Sequence, residues 1–103
     1  MTNVYVVKLH DDVLKHKKFR VKNPNHVSGM DCLYVGVTQL QPEERYKNHK
    51  DNHKAARFVR EYGCGLLPDL YGKYNPMEYE EALSKEVELA ELLREKGYAV
   101  WQN

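Results

Sequence analysis

Cys32-Leu33-Tyr34-Val35-Gly36-Val37-Thr38 is a short, uncharged run of β-branched, aromatic and small residues, the composition of a buried strand. Its counterpart is Asn3-Val4-Tyr5-Val6-Val7-Lys8-Leu9, equally short and equally rich in residues that suit a pleated surface. Between the two lie about twenty mostly polar residues, with turn signals at Asn23-Pro24-Asn25 and Ser28-Gly29. Residues at about 10–31 are therefore read as a long basic connection between two antiparallel strands.

Working outward, Gln41-Pro42-Glu43-Glu44 reads as a helix start, because proline fits the first turn and acids suit the positive end of the helix dipole. That helix should run to about Asn52, with Tyr46 its only large apolar residue. A second helix over Lys54–Tyr62 should stop at Gly63. Gly65–Tyr71 reads as a short edge strand or extended connector, since Pro68 excludes a central strand. A long helix is expected from about Met77 to Lys96, ending at Gly97, and Tyr98-Ala99-Val100-Trp101 should close the chain as an extended apolar tail. The expected fold class is α+β: a small, mainly antiparallel three-stranded sheet flanked by helices.

With 103 residues the chain has room for one domain, 1–103, and 42% apolar residues are enough to pack its interior. The only long apolar-leaning stretch is broken by charges every few residues, which argues against a membrane span, and Met1–Tyr5 has none of the features of a secretory signal. An intracellular, cytoplasmic location is expected. Cys32 and Cys64 cannot form a disulfide framework and fit no close-spaced zinc pattern, so reduced structural thiols are expected. The formal charge of +1 conceals an asymmetry: residues 1–60 carry 12 Lys/Arg against 6 Asp/Glu, residues 61–103 carry 4 against 9. The densest basic run, Lys15-His16-Lys17-Lys18-Phe19-Arg20-Val21-Lys22, is either a phosphate-backbone footprint or a solvated loop.

On a wheel of about 100° per residue, Leu89, Ala82, Leu93, Tyr79, Ala90, Leu83 and Val87 share one broad side of the long helix. Glu86 falls in the middle of them. Burying a lone carboxylate costs several kcal/mol, so Glu86 must be neutral, paired with a cation, or bound to a metal. On the helix after Pro42, Arg45 and His49 are four residues apart and project together, able to hold a phosphate oxygen or move a proton. His53 extends the row, which leaves a two-histidine metal clasp or a merely exposed polar helix as alternatives.

These residues resemble the GIY-YIG nuclease superfamily. Val4-Tyr5-Val6 stands where the family has its Gly-Ile-Tyr segment, Tyr34-Val35-Gly36 is similar to its Tyr-Ile-Gly segment, and Thr38 follows. Pro42-Glu43-Glu44-Arg45 with His49 looks like the helix bearing the family's arginine, and Glu81-Ala82-Leu83-Ser84-Lys85-Glu86 like the segment presenting its metal-binding glutamate. The chain departs from the pattern in its long inter-strand loop, in the missing glycine of the first motif, and in offering only Asn103 for the family's late asparagine.

The resemblance implies divalent-metal-dependent hydrolysis of DNA phosphodiesters, with Glu86 holding Mg²⁺ or Mn²⁺ and Arg45 bracing the phosphate. Tyr5 or Tyr34 would deprotonate the attacking water, Tyr34 being slightly favoured, and His49 would relay the proton or hold the phenol. Thr38, Lys50, Lys54 and Arg57 are candidates for substrate contact. Three alternatives stand beside a DNA endonuclease: a nucleic-acid-binding module without turnover, an RNA-cleaving nuclease, and an interaction domain. A homodimer or a partner protein supplying specificity is compatible with any of the nucleic-acid readings.

Overall fold

In the computed structural model, which describes residues 1–51 and 56–102, the two tyrosine runs form the central strands of the sheet. Strand β1 (Asn3–Leu9) pairs antiparallel with β2 (Cys32–Thr38) in an unbroken register from Asn3↔Thr38 to Leu9↔Cys32. Every residue of these strands is buried except the exposed Lys8 and the partly exposed Val37, which accounts for their nearly continuous apolar character.

The connection between them is built rather than slack. A 3-10 turn at Asp11–Lys15 and the short helix α1 (Lys17–Val21) bury Val13 and Phe19. Asn23, itself buried, accepts the Val100 amide at 2.7 Å and donates to the Val100 and Phe19 carbonyls at 3.1 and 2.8 Å.

Helix α2 (Pro42–Lys50) has Pro42 in its first turn and acids beside it, as its sequence requires. Helix α3 (Arg57–Tyr62) leads directly into β3 (Gly63–Leu66), an edge strand antiparallel to β1. Gly63 has φ −62°, so the chain leaves α3 without a left-handed residue. Helix α2 stops at Lys50 and α3 begins only at Arg57, after an extended Ala56; of the remaining positions expected as helix, Asn52, Lys54 and Ala55 lie outside the described residues.

Helix α4 (Tyr79–Glu95) ends as expected at Gly97, whose φ of +99° favours glycine. Its buried side is narrower than the wheel suggested: Ala82, Glu86, Leu89, Ala90 and Leu93 are covered, whereas Tyr79, Leu83 and Val87 are exposed.

The sheet has four strands and is mixed, not three-stranded. Ala99–Gln102, expected as a tail, is strand β4, and it pairs parallel to β2 with Tyr34 opposite Trp101. The order is β3-β1-β2-β4. An isolated run of apolar residues says nothing about direction; the return of the chain after α4 brings β4 back parallel to β2.

The β1 edge beyond β3 is closed by other groups. The Asn75 side chain accepts the Val4 amide at 2.9 Å and donates to the Val4 carbonyl at 2.8 Å. Thr2 and Met77 exchange backbone hydrogen bonds of 2.7 and 2.8 Å. No helix among the described residues is long and apolar enough to cross a membrane.

Candidate active site

Tyr5 faces Gly36 across the antiparallel pair, and Tyr34 lies two residues from Gly36 on the same face of β2. Both rings lean over the glycine. A Cβ at position 36 would lie 2.9 Å from Tyr34 Cε1 and 2.9 Å from the Tyr5 hydroxyl oxygen. The absence of a side chain there lets the rings approach to a centroid distance of 6.0 Å. Nothing in the local sequence singles out Gly36 for this role, which depends on the pairing of β1 with β2.

Helix α2 has no apolar stripe, yet it is not a solvated polar helix. It docks through Pro42 and His49, and His49 is fully buried against the two phenols. Its Nδ1 accepts the Ala56 amide at 3.3 Å, and its Nε2 is 2.8 Å from the Tyr5 oxygen. Burial, reinforced by the Arg45 charge, lowers the imidazole pKa to about 4, so the ring is neutral at pH 7. With Nδ1 accepting, the single proton sits on Nε2 and is donated to Tyr5. Both nitrogens are thereby engaged, which removes His49 as a metal ligand in this conformation. His53, its suggested partner, lies outside the described residues.

The two phenols are not equivalent. Burial raises the Tyr5 pKa, but Arg45 and a contribution from Tyr34 act to lower it. Tyr34 is raised further, by burial and then by Tyr5 and Glu86, with Arg45 only partly opposing. Its buried hydroxyl has no hydrogen bond of ordinary geometry among the described residues, even though Tyr5 influences its ionisation. Tyr5 is therefore the easier of the two to ionise.

Glu86, brought in by α4, is 6% exposed, and burial raises its carboxyl above the usual carboxylate range. Its charge acts on both Tyr5 and Tyr34. Among the described residues no lysine or arginine forms a salt bridge with it. A divalent cation fits this donor set in one way only. No group of three or more His, Cys, Asp or Glu that could hold a metal occurs among the described residues, but Mg²⁺ is commonly held by one carboxylate with water and substrate oxygens.

Comparison with protein-family models, curated proteins and solved structures returns no match.

The side chains suggested for substrate contact have structural partners. The Thr38 hydroxyl accepts the Leu40 amide at 3.1 Å and closes the turn after β2. Lys50 donates to the carbonyls of Gly63 and Arg60 at 3.0 and 3.3 Å, tying α2 to the end of α3. Arg57 pairs with Glu61 at 3.0 Å along α3. Lys54 lies outside the described residues. Thus Tyr5, Tyr34, Arg45, His49 and Glu86 form one electrostatically coupled group, while Thr38, Lys50 and Arg57 hold local structure.

Proposed function

We propose that this protein is a divalent-metal-dependent endonuclease of the GIY-YIG type that hydrolyses DNA phosphodiester bonds. The observation that carries the reading is Glu86: a buried carboxylate without a cationic partner among the described residues, coupled to the same two phenols as Arg45 and His49. An interaction domain leaves this group unexplained.

Glu86 would hold Mg²⁺ or Mn²⁺, and the ion, when bound, supplies Lewis-acid polarisation of a phosphoryl oxygen and stabilises the leaving oxygen. Arg45 donates to the phosphate as negative charge accumulates on it; its planar fork suits two phosphate oxygens. Tyr5, whose ionisation Arg45 favours against the opposing effect of burial, would take a proton from the attacking water while the new P–O bond forms and the bond to the leaving oxygen breaks in line. His49 remains neutral, and its Nε2–H stabilises the phenolate that performs this step. Tyr34 packs against Tyr5 and fixes its ring.

Cleavage of duplex, nicked, branched and single-stranded DNA with added Mg²⁺ or Mn²⁺ tests the reading. Glu86→Ala and Arg45→Ala are expected to keep the fold and lose cutting by at least about 10²-fold. Absence of product on all four substrates with either ion defeats it for DNA. RNA cleavage follows from the same chemistry, and a parallel RNA assay decides between the two.

A further inference from the structure

A second feature lies on the opposite side of β2 from β1. A cavity of about 350 Å³ is lined by Lys22, Arg94, Trp101 and Gln102, within the usual range for small-ligand sites of about 300–1,000 Å³. The nuclease residues contribute nothing to it. We propose that this cavity binds an unpaired nucleotide of a nucleic-acid strand, the base against Trp101 and its phosphate between Lys22 and Arg94.

Four observations support the assignment. First, the lining combines the parts that single-stranded recognition needs: an indole for stacking, two cations for phosphate, and an amide able to donate and accept at a base edge. No carboxylate is among them.

Second, Arg94 is held in place by neutral oxygens. Its Nε donates to Asn23 Oδ1 at 3.2 Å and its Nη2 to the Val100 carbonyl at 2.9 Å. No salt bridge to it occurs among the described residues, although Glu91 acts on it from a turn away and Glu95 lines the adjoining cleft. A half-buried guanidinium fixed in this way is preorganised for an anion.

Third, the basic insertion adds to the field at this place. Lys18 Nζ lies 5.7 Å from the Trp101 ring centroid, and residues 15–22 include five Lys/Arg and no acid. Fourth, Trp101 is held by Phe19 and Phe58, with centroids at 6.1 and 5.0 Å, so little ordering of the indole remains to be done when a base binds.

Trp101 stands opposite Tyr34 in the β2–β4 register, so the cavity is one strand away from the tyrosine site. The inference deepens the nuclease reading in that sense, but the binding it describes needs no cleavage.

Trp101 is the chain's single tryptophan, so its emission reports on the cavity directly. The full chain in EDTA is titrated with a short oligothymidylate, with thymidine monophosphate and with inorganic phosphate, following tryptophan emission; anisotropy of a labelled strand reports total binding. Saturable quenching by the strand is expected, with thymidine monophosphate at least about tenfold weaker and phosphate weaker still. Lys22→Glu, an exposed change, and Arg94→Gln should each weaken strand binding about tenfold or more with the far-ultraviolet circular dichroism unchanged; if Arg94→Gln loses structure, Lys22→Glu alone decides.

Strand binding that leaves Trp101 emission untouched, or a Lys22→Glu protein that binds and cuts like the wild type, overturns the pocket while leaving the nuclease standing. Equal affinity for the mononucleotide overturns the strand assignment. Quenching without cleavage under any metal supports the pocket and removes the nuclease.

Discussion

The Nε2–H of His49 donates to the phenol oxygen of Tyr5 across 2.8 Å, while the hydroxyl of Tyr34, packed against the same rings, has no such partner. The two tyrosine-to-phenylalanine changes should therefore differ in their effect on stability. Tyr5→Phe leaves a buried N–H unsatisfied and is expected to cost about 1–3 kcal/mol; Tyr34→Phe removes a hydroxyl with no well-formed hydrogen bond among the described residues and should cost less, within about 1 kcal/mol of the wild type. In cleavage assays Tyr5→Phe should lose about 10²–10⁴-fold, and Tyr34→Phe much less. Urea unfolding and single-turnover rates check both, and equal losses for the two variants would show that the phenols share the proton transfer.

Gly36→Ala places a methyl group 2.9 Å from atoms of both rings. Neither ring can swing away, because both are almost fully buried. Overpacking of this kind costs about 1–3 kcal/mol and shifts the Tyr5 oxygen, so stability and cleavage should fall together. A variant with wild-type melting and wild-type rate would mean that the rings have room to spare.

His49 gives a pH dependence whose sign is fixed. Its folded pKa, about 4, lies below the ordinary 6.5, so the native state binds its proton less readily than the unfolded chain. The stability it contributes is complete above pH 6.5 and is lost as pH falls through 4, amounting to a change on the order of 3 kcal/mol. Glu86, raised by burial, works the other way: its contribution is greatest in acid and declines as pH rises through the elevated value. Comparing Glu86→Gln with Glu86→Gln/His49→Asn by urea unfolding at several pH values isolates the histidine. The acid-side decline should be present in the first and reduced in the second.

Glu86→Gln also separates the metal from the fold. In EDTA at pH 7 the variant should melt at or above the wild type, since the amide does not carry the penalty that burial places on the carboxylate. Mg²⁺ or Mn²⁺ at a hundred times its dissociation constant should then stabilise the wild type by about 2.7 kcal/mol and leave the variant unmoved. Equal shifts in both proteins would place the ion elsewhere.

The strands bearing Tyr5 and Tyr34 were legible because a short uncharged run of β-branched and aromatic residues admits few other readings, and Glu86 was legible because a carboxylate amid leucines and alanines is anomalous wherever the helix lies. The width of the α4 contact was not legible. Tyr79, Leu83 and Val87 are as apolar as their neighbours, and only the position of the sheet decides which of them it covers. The seating of α2 on His49 was hidden for a related reason: one imidazole whose hydrogen bonds are met by a distant phenol and by Ala56 leaves no periodic trace. The pocket around Trp101 joins residues from the insertion, the end of α4 and β4, three segments that only the folded chain assembles.

Asn23 and Asn75 occupy matching posts at the two flanks of the sheet, each using its amide to satisfy one backbone N–H and one C=O, of Val100 and Val4 respectively. Each imitates the partner that a neighbouring chain would otherwise supply. Ribbon-to-ribbon polymerisation is thereby denied its template along these stretches, which leaves β3 as the place where a second copy could lengthen the sheet.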